Sequence, residues 1–370
     1  MPFSCNTWAI KTATVERGKR TQISRRAVLQ GLALSSAGAA GLAACSREAP
    51  QLSLAIWQDY LGETTLTDFR RASGIDVTVT TYADNAQLYA KLKAGGHGFD
   101  LVVPSSQWAE RLIREDLLAP ISHGRLPNLA NLEPAFADLP YDPGNAHSVP
   151  YTWLALGIGY RKSKVARAPG GWKELLEGPG QAGRIALPAD PAQLFRIAAK
   201  ALGHSANQFN PDRVKQAEAE LARALPRIKT LHRDGGQDLL LRGEVDLVAL
   251  WNGDLAQVAL EDPDIAFTLP SEGALLSCDC LCIPASSKRP GNAHQLIDFL
   301  LSADGGAGVA GTIWFPTPNH AAREILPADY SRNPVLFPAN RPAGTSEFIG
   351  DNPALDAQFT AAMQRLQVPQ

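Results

Sequence analysis

The chain has 370 residues, of which 45% are hydrophobic and 19% charged, so it is long enough for two domains with cores of their own. Its 35 basic and 37 acidic residues give a formal net charge of −2 at pH 7. The first 44 residues hold six basic residues and one acidic residue, so the remainder carries 29 and 36, a net charge of −7. An acidic body argues against nucleic acid as a partner and is compatible with a cationic ligand.

An export signal is the first feature along the chain. Ser24-Arg25-Arg26-Ala27-Val28-Leu29 is a twin-arginine signature, which an export receptor reads as an address. The apolar run that follows ends at Leu42-Ala43-Ala44-Cys45, which resembles a bacterial lipoprotein cleavage box. Its small residues favour a removable signal peptide, residues 1–44, over an uncleaved membrane helix. We therefore expect Cys45 to become a lipidated N-terminus that tethers a periplasmic protein to a bacterial membrane.

Short apolar runs alternate with helical patterns along the rest of the chain, which is typical of an α/β protein. The predicted strands are, in chain order, Leu52–Trp57, Ile75–Tyr82, Asp100–Pro104, Gly183–Leu187, Val245–Trp251 and Leu276–Pro284. The predicted helices are Thr65–Ser73, Asn85–Lys93, Trp108–Glu115, Ala192–Leu202, Pro211–Ala224 and His294–Ser302. Two α/β units joined by extended crossings predict two lobes with a ligand cleft between them.

Three of the five cysteines lie together in the last predicted strand, as Cys278, Cys280 and Cys282. Alternate positions of a strand share one face, so the three thiols point one way and Asp279 points the other. Neighbouring thiols are spaced near the upper limit for a disulfide and more closely than the ligands of most metal sites. We expect free thiols packed in the core, with redox or metal chemistry as the alternative.

Aromatic, hydroxyl and carboxylate side chains gather at or near the ends of the predicted strands. They are Trp57, Tyr60, Ser105, Asp190 and Trp251, and a further carboxylate, Asp279, lies within the last predicted strand between apolar neighbours. Ligands collect outside the carboxyl ends of strands in open α/β sheets. Ring faces attract an ammonium group by about 0.5–2 kcal/mol, and a carboxylate supplies the opposite charge. These side chains predict a container for an organic cation, although Asp190 could instead cap the helix that follows it.

Several motifs along residues 52–370 are collinear with those of one family. They are Tyr82–Asn85, Leu88–Lys93, Asp100–Ser105, Val149–Trp153, Gly243–Val245, Leu250–Gly253 and Pro316–Asn319. On these motifs the chain resembles the spermidine/putrescine-binding periplasmic proteins of ABC transporters. The resemblance implies a type II periplasmic-binding-protein fold, in which two α/β lobes joined by hinge crossings close over a polyamine. We expect one lobe to comprise 45–154 plus 278–325, and the other 155–277 plus 326–370.

The resemblance also implies that these six residues, Asp279 included, contact the ligand. Four further positions of the family's site differ in this chain: an acid is Gln193, a tryptophan is Ser277, a tyrosine is Gln107 and a glutamine is Ile349. Trp108, next to Gln107, could supply the missing ring. The site thus loses one negative charge and at least one ring face. A shorter diamine, a monoamine or an ω-amino acid such as γ-aminobutyrate suits the reduced charge.

We expect a periplasmic lipoprotein that captures a polyamine or related small cationic or zwitterionic amine and delivers it to an ABC permease in the inner membrane. We further expect a monomer that needs no cofactor or metal and catalyses no reaction. Two alternatives stay open: the same cleft could serve a membrane signalling receptor, and twin-arginine export would also suit an enzyme. The nearest approach to a nucleophile elbow, Gly203–Asn207, lacks the closing glycine, and the sequence holds no zinc-hydrolase or phosphate-loop motif.

Overall fold

The computed structural model describes residues 51–366, apart from residues 179, 234 and 339–344. The predicted signal peptide, its twin arginines and the lipidation site at Cys45 lie outside the described residues. The strands are β1 (Gln51–Trp57), β2 (Asp76–Tyr82), β3 (Leu101–Val102), β4 (Ser148–Arg161), β5 (Ile185–Pro188), β6 (Thr230–His232), β7 (Leu247–Trp251), β8 (Ile265–Thr268), β9 (Leu275–Cys282) and β10 (Glu347–Phe348).

The helices follow the strands in an α/β order. They are α1 (Thr65–Ser73), α2 (Asn85–Ala94), α3 (Ser106–Arg114), α4 (Trp172–Glu177), α5 (Pro191–Ala201), α6 (Pro211–Ala224), α7 (Gly236–Leu241), α8 (Asn252–Glu261), α9 (Pro290–Leu301), α10 (Ala303–Ile313), α11 (His320–Ile325), α12 (Ala328–Ser331) and α13 (Pro353–Arg365). Every predicted strand and helix overlaps one of these elements. Within the described ranges no single helix is long and apolar enough to cross a bilayer, and α9 with α10 reaches that length only as a pair bent by 73°.

The strands form a sheet in the order β2-β1-β3-β9-β4-β7-β5-β6, with β10 beside β9 and β8 beside β4. β1 pairs in parallel with β2 and β3, and β5 pairs in parallel with β6 and β7. Between these two parallel regions β4 and β9 pair with each other antiparallel. These two parallel regions form two α/β lobes, and β4 and β9 join them. The predicted fold class is confirmed.

The longest strand, β4, was not predicted. Its sequence contains Pro150, Gly157 and Gly159, residue types that weaken a strand prediction. Each of the three has a structural reason. The pairing of β4 with β9 shifts register between Pro150 and Thr152. A Cβ at Gly157 would lie 2.5 Å from the ring of Phe267 in β8. A Cβ at Gly159 would likewise meet a side chain of α8. The glycines therefore let β8 and α8 pack directly on the crossing strand.

Separate apolar cores support the two lobes. One lies around β1 and includes Leu54 and Phe69, and the other lies around β5 and includes Trp172 and Phe195. All four side chains are fully buried. A third cluster of buried residues follows β9 and β4 through the middle of the molecule.

The three thiols of β9 lie in the central cluster. Cys278, Cys280 and Cys282 are free and fully buried, and burial raises the pKa of each thiol. The sulfur of Cys280 lies 3.3 Å from the hydroxyl oxygen of Tyr141. The prediction of free thiols in the core is confirmed. Across the part of the chain that the structure describes, no three His, Cys, Asp or Glu side chains are grouped so that they could hold a metal ion.

Candidate functional site

A cleft of about 1130 Å³ opens at the strand ends where the two lobes meet. Nine of the ten predicted ligand-binding residues line it: Trp57, Tyr60, Ser105, Gln107, Asp190, Gln193, Trp251, Ser277 and Asp279. The tenth, Ile349, is buried and lines a smaller neighbouring cavity instead. The fold therefore brings together residues that are up to 222 positions apart in the sequence, Trp57 and Asp279.

Asp279 is the most buried carboxylate of the cleft, with 6% of its surface exposed. Its Oδ2 accepts a hydrogen bond from the Tyr60 hydroxyl at 2.7 Å, and its Oδ1 accepts one from the Ser105 hydroxyl at 2.8 Å. The Thr152 hydroxyl lies 3.5 Å from Oδ2 and 2.8 Å from the Tyr60 oxygen. Burial raises the pKa of Asp279, and the three hydroxyls oppose that rise without cancelling it. In the described part of the chain, the hydrogen bonds to this carboxylate come from hydroxyl groups.

The strand pairing explains how these groups meet. Thr152 of β4 pairs directly with Asp279 of β9, and Ser105, just past β3, forms an isolated bridge with Asp279 on the other side. Tyr60 follows the end of β1. The sequence pattern does not indicate Thr152 as a site residue, because Thr152 belongs to β4, which is not predicted.

Asp190 lies on the second lobe, directly before α5. Its Oδ1 accepts a hydrogen bond from the backbone N–H of Ala192 at 2.9 Å, so it is the N-cap of that helix. The alternative that Asp190 caps the helix is thus confirmed, and the same side chain is exposed to the cleft. Partial removal from water raises the pKa of Asp190, and the backbone bond and the positive charge of Arg196 oppose that rise without cancelling it.

A side chamber of about 170 Å³ adjoins the cleft at Asp190. Four residues line both cavities: Gln107, Trp108, Asp190 and Gln193. Ile349 lines the chamber only, together with Arg196 of α5, of which 2% is exposed. Arg196 was not among the predicted site residues, because the local pattern of a helix that starts at Pro191 does not show which way its sixth residue points.

Aromatic rings surround the first-lobe end of the cleft. The rings of Trp57 and Tyr82 have centroids 4.7 Å apart, and those of Tyr60 and Phe315 are 5.4 Å apart. Tyr82 and Phe315 both line the cleft and were not predicted as site residues. A signal for Tyr82 was present, since it ends a predicted strand as Trp57 does, and the two are partners in the pairing of β1 with β2.

Two of the substituted positions interact with each other. The Ser277 hydroxyl lies 3.4 Å from Oε1 of Gln107 and 3.3 Å from the Ser106 hydroxyl. Ser277 is buried, with 4% of its surface exposed. Small polar groups therefore occupy the part of the wall where the resemblance would place rings, and Trp108 lines the cleft beside them.

The charged residues that line the cleft are all acidic. They are Asp59, Asp84, Asp190, Asp254 and Asp279. Among the described residues no lysine or arginine lines this cavity. A cleft with walls of one sign raises the local concentration of the opposite charge. Only Asp190 and Asp279 were predicted from the sequence, although Asp254 directly follows the motif Leu250–Gly253.

Comparison with known proteins agrees with this geometry. A family model described as "bacterial extracellular solute-binding protein" matches residues 64–338. The chain is 33% identical over 313 residues to the spermidine/putrescine-binding periplasmic protein of Escherichia coli K12, covering 84% of this chain and 90% of that one. It is 31% identical over 310 residues to the putrescine/cadaverine-binding protein of Pseudomonas aeruginosa, covering 80% and 87%. A spermidine/putrescine ABC transporter substrate-binding protein of Streptococcus pneumoniae has a similar structure, with a TM-score of 0.80 at 25% identity over 86% of this chain and 99% of that one.

Proposed function

The chain belongs to the bacterial extracellular solute-binding proteins, and from that membership we propose that it captures a polyamine or a related small amine and delivers it to an ABC importer. Relatives that share about a third of its sequence are named for spermidine, putrescine and cadaverine. The observation that carries the proposal is the cleft lined by five aspartates and by no lysine or arginine among the described residues. As a carrier the protein catalyses no reaction.

The ammonium group of the ligand binds Asp279. A buried carboxylate without a counter-charge is costly, and an ammonium group supplies both the charge and N–H donors. Tyr60 and Ser105 already hold the two carboxylate oxygens in place, so little reorganisation is needed when the ligand arrives. Burial raises the pKa of Asp279, and a bound ammonium group would favour its ionised form.

The carbon chain of the amine lies between aromatic rings. Trp57 and Trp251 line the cleft from the first and second lobes, and rings in such positions bury methylene groups and attract the adjoining ammonium groups. Tyr60 and Ser105 set the space around the bound end, and Asp190 faces the far end.

Closure of the lobes completes the site. We assign residues 45–154 plus 278–325 to one lobe and 155–277 plus 326–370 to the other, with β4 and β9 as the crossings that bend. Small-angle X-ray scattering should show a smaller radius of gyration with saturating putrescine than without it. An unchanged radius at saturation would contradict hinge closure while leaving amine binding intact.

Export and anchoring follow from the segment before the described residues. Arg25 and Arg26 direct twin-arginine export, and Cys45 carries the lipid that holds a monomer at the membrane surface. We expect Cys45→Ser to move the protein from the membrane fraction to the soluble periplasm. Replacing Arg25 and Arg26 together by lysine should leave the precursor in the cytoplasm. Unchanged fractionation of either variant would overturn the corresponding assignment.

Isothermal titration calorimetry tests the proposed function. Putrescine, cadaverine and spermidine are titrated into the purified protein, with γ-aminobutyrate as the zwitterion and succinate as the anionic control. We expect at least one of the three polyamines to bind and succinate not to bind, since the cleft has walls of negative charge. Absence of binding by all three amines would reject the proposal.

A further inference from the structure

Ser105 has the backbone position of a helix cap but does not use its hydroxyl as one. It is the N-cap residue of α3, with φ −70° and ψ 154°, and its side chain forms no capping hydrogen bond with that helix. The oxygen of a serine at this position usually accepts a hydrogen bond from one of the first helical N–H groups. Here the hydroxyl donates to Oδ1 of Asp279 at 2.8 Å. The first turn of α3 and the cleft carboxylate thus compete for one side chain, and the structure favours the carboxylate.

Asn85 holds the Ser105 side chain in this orientation. Its Oδ1 accepts a hydrogen bond from the backbone N–H of Ser105 at 3.1 Å, and its Nδ2 donates to Oγ of Ser105 at 3.1 Å. A backbone N–H can only donate, so the amide atom that it meets is the oxygen, and the atom that meets Oγ is the NH₂ group. The amide of Asn85 therefore binds Ser105 at two points, and it occupies an acceptor site of Oγ that a helix N–H would otherwise use.

The start of α2 leaves Asn85 free for this contact. Asp84 is the N-cap of α2 and accepts a hydrogen bond from a backbone N–H of that helix at 2.7 Å, so Asn85, the first helical residue, has no capping role. Asn85 lines the cleft but is not among the residues that we expect to bind the amine. Within the described ranges its side chain bonds to Ser105 and forms no hydrogen bond with Asp279. It therefore reaches that carboxylate through Ser105.

A chain of hydrogen bonds thus runs from the Asn85 amide through the Ser105 hydroxyl to Asp279. Successive hydrogen bonds polarise one another, so the donation from Asn85 strengthens the one from Ser105. The bond from Ser105 lowers the pKa of Asp279 against the larger effect of burial, because a hydrogen bond to a carboxylate favours its charged form. The charged form is the one that attracts an ammonium group.

We propose that Asn85 is a positioning residue for amine binding, which holds the Ser105 hydroxyl on Asp279 and away from the N-terminus of α3. This role rests on the proposed function, because it concerns the carboxylate that binds the ammonium group. Without the amide, Ser105 is free to turn and cap α3. Asn85→Ala should therefore weaken ligand binding without lowering the stability of the protein, whereas a residue that only supports the fold would lower the stability.

A double-mutant cycle tests the path through Ser105. Putrescine is titrated calorimetrically at pH 7 into the wild-type protein, Asn85→Ala, Ser105→Ala and the double variant. We expect the Kd to rise about tenfold in Ser105→Ala, which removes a hydrogen bond to a charged group, and about fivefold in Asn85→Ala. The double variant should bind as Ser105→Ala does, within about twofold, because the amide then has no hydroxyl to hold. Losses that multiply in the double variant would overturn the proposal.

The pH dependence of the affinity is the second measurement. In Asn85→Ala the pKa of Asp279 should rise further, so the affinity for putrescine should begin to fall at a higher pH than in the wild type. The titratable side chains that interact with Asp279 are phenols and thiols with raised pKa values, which stay neutral between pH 4 and pH 7: Tyr60, Tyr82, Tyr151, Cys278 and Cys280. The other aspartates of the cleft are the same in both proteins. The difference between the two profiles therefore reports on Asp279, and identical profiles would contradict the role of Asn85.

Gln87→Ala is the matched control. Gln87 belongs to the same helix and lines the same cleft, and in the described part of the chain it forms no hydrogen bond with Ser105. The variant should keep the wild-type Kd within about twofold, together with the wild-type pH profile. In chemical denaturation Asn85→Ala should have an unfolding free energy no lower than that of the wild type. A lower value together with weaker binding would indicate a structural role and reject the proposal.

The outcomes separate the two proposals. If the wild type and Asn85→Ala bind putrescine equally, the positioning role is rejected and the amine-binding function stands. If the wild type binds cadaverine or spermidine but not putrescine, that amine takes the place of putrescine in the whole cycle. If the wild type binds none of the three, the proposed function and the positioning role are rejected together.

Discussion

Asp279 and Asp190 lie on opposite lobes of the same cleft, but the chain surrounds them differently. Asp279 is almost fully buried, and its neighbours are hydroxyl groups that donate to it. Asp190 is exposed, caps a helix and lies within the influence of Arg196. One carboxylate is thus held in place with no counter-charge, and the other already serves the protein's own structure. Equal residue types at two ends of a cleft need not contribute equally to binding.

The largest expected effect follows from removing the charge at the buried end. Asp279→Asn keeps the shape of the side chain but removes the counter-charge for the ligand, and we expect putrescine to bind at least tenfold more weakly, about 1.4 kcal/mol. Isothermal titration calorimetry measures the change. The matched control is Asp59→Asn at the exposed rim of the same cleft, which should weaken binding about threefold or less because exposed charges are screened. Equal losses in the two variants would show that burial does not distinguish the acids.

The second effect is a pH dependence of affinity. Since burial raises the pKa of Asp279 above its ordinary value, the carboxylate gains a proton at a higher pH than an exposed aspartate does. Affinity for putrescine should therefore fall as the pH drops through this raised pKa, by about tenfold per pH unit below it. Calorimetric titrations between pH 7 and pH 4 measure the change, and Asp279→Asn should lack this component.

The stability of the ligand-free protein should respond to pH in the opposite direction at this residue. In the window between the unfolded and the folded pKa of Asp279, the folded state binds more protons, so its stability rises as the pH falls. This contribution is fully present below the unfolded pKa and is lost as the pH rises through the folded pKa. Carboxylates with lowered pKa values, such as Glu218 and Asp264, act in the opposite sense. The difference in unfolding free energy between the wild type and Asp279→Asn isolates the residue; a difference that does not vary with pH would contradict the raised pKa.

The smallest expected effect on binding is at the other end of the cleft. Asp190→Ala removes the N-cap of α5 and should lower the unfolding free energy by about 1 kcal/mol, with less than a tenfold loss of putrescine affinity. Asn210→Ala is the matched control, because Asn210 caps α6 through the N–H of Arg213 at 2.9 Å and lines none of the cavities around the cleft. We expect a similar loss of stability from both variants in chemical denaturation. A loss of affinity at Asp190 as large as that at Asp279 would remove the asymmetry between the two ends.

Much of the fold was predictable because its elements carry local signals. Alternating or continuous apolar runs marked six strands, and Thr65–Ser73 and Pro211–Ala224 were predicted with the bounds that the structure has. The strand β4 was missed because Pro150 and Gly157 are read locally as interruptions. Pro150 lies where the pairing of β4 with β9 shifts register, and Gly157 leaves room for the ring of Phe267 in β8. Both partners come from distant parts of the chain.

The site was predictable where residues stand at strand ends, and unpredictable where packing selects them. Trp57, Tyr60 and Trp251 were identified from such positions and line the cleft. The contact of Arg196 with Asp356 spans 160 residues, and a helical pattern does not show that α13 lies against α5. The charge compensation at one end of the cleft is therefore a property of the tertiary structure alone.

The alternation along β9 has a consequence for how the chain finds its fold. On this strand three thiols face a dry core and the carboxylate between them faces the cleft. A slip of one residue in the pairing with β4 would turn Asp279 inward among the sulfurs and expose Cys278 and Cys280 to water. Burying an ionised group without partners carries a large free-energy cost. The residue that we expect to bind the amine thus also penalises misaligned pairing of the two crossing strands while the protein folds.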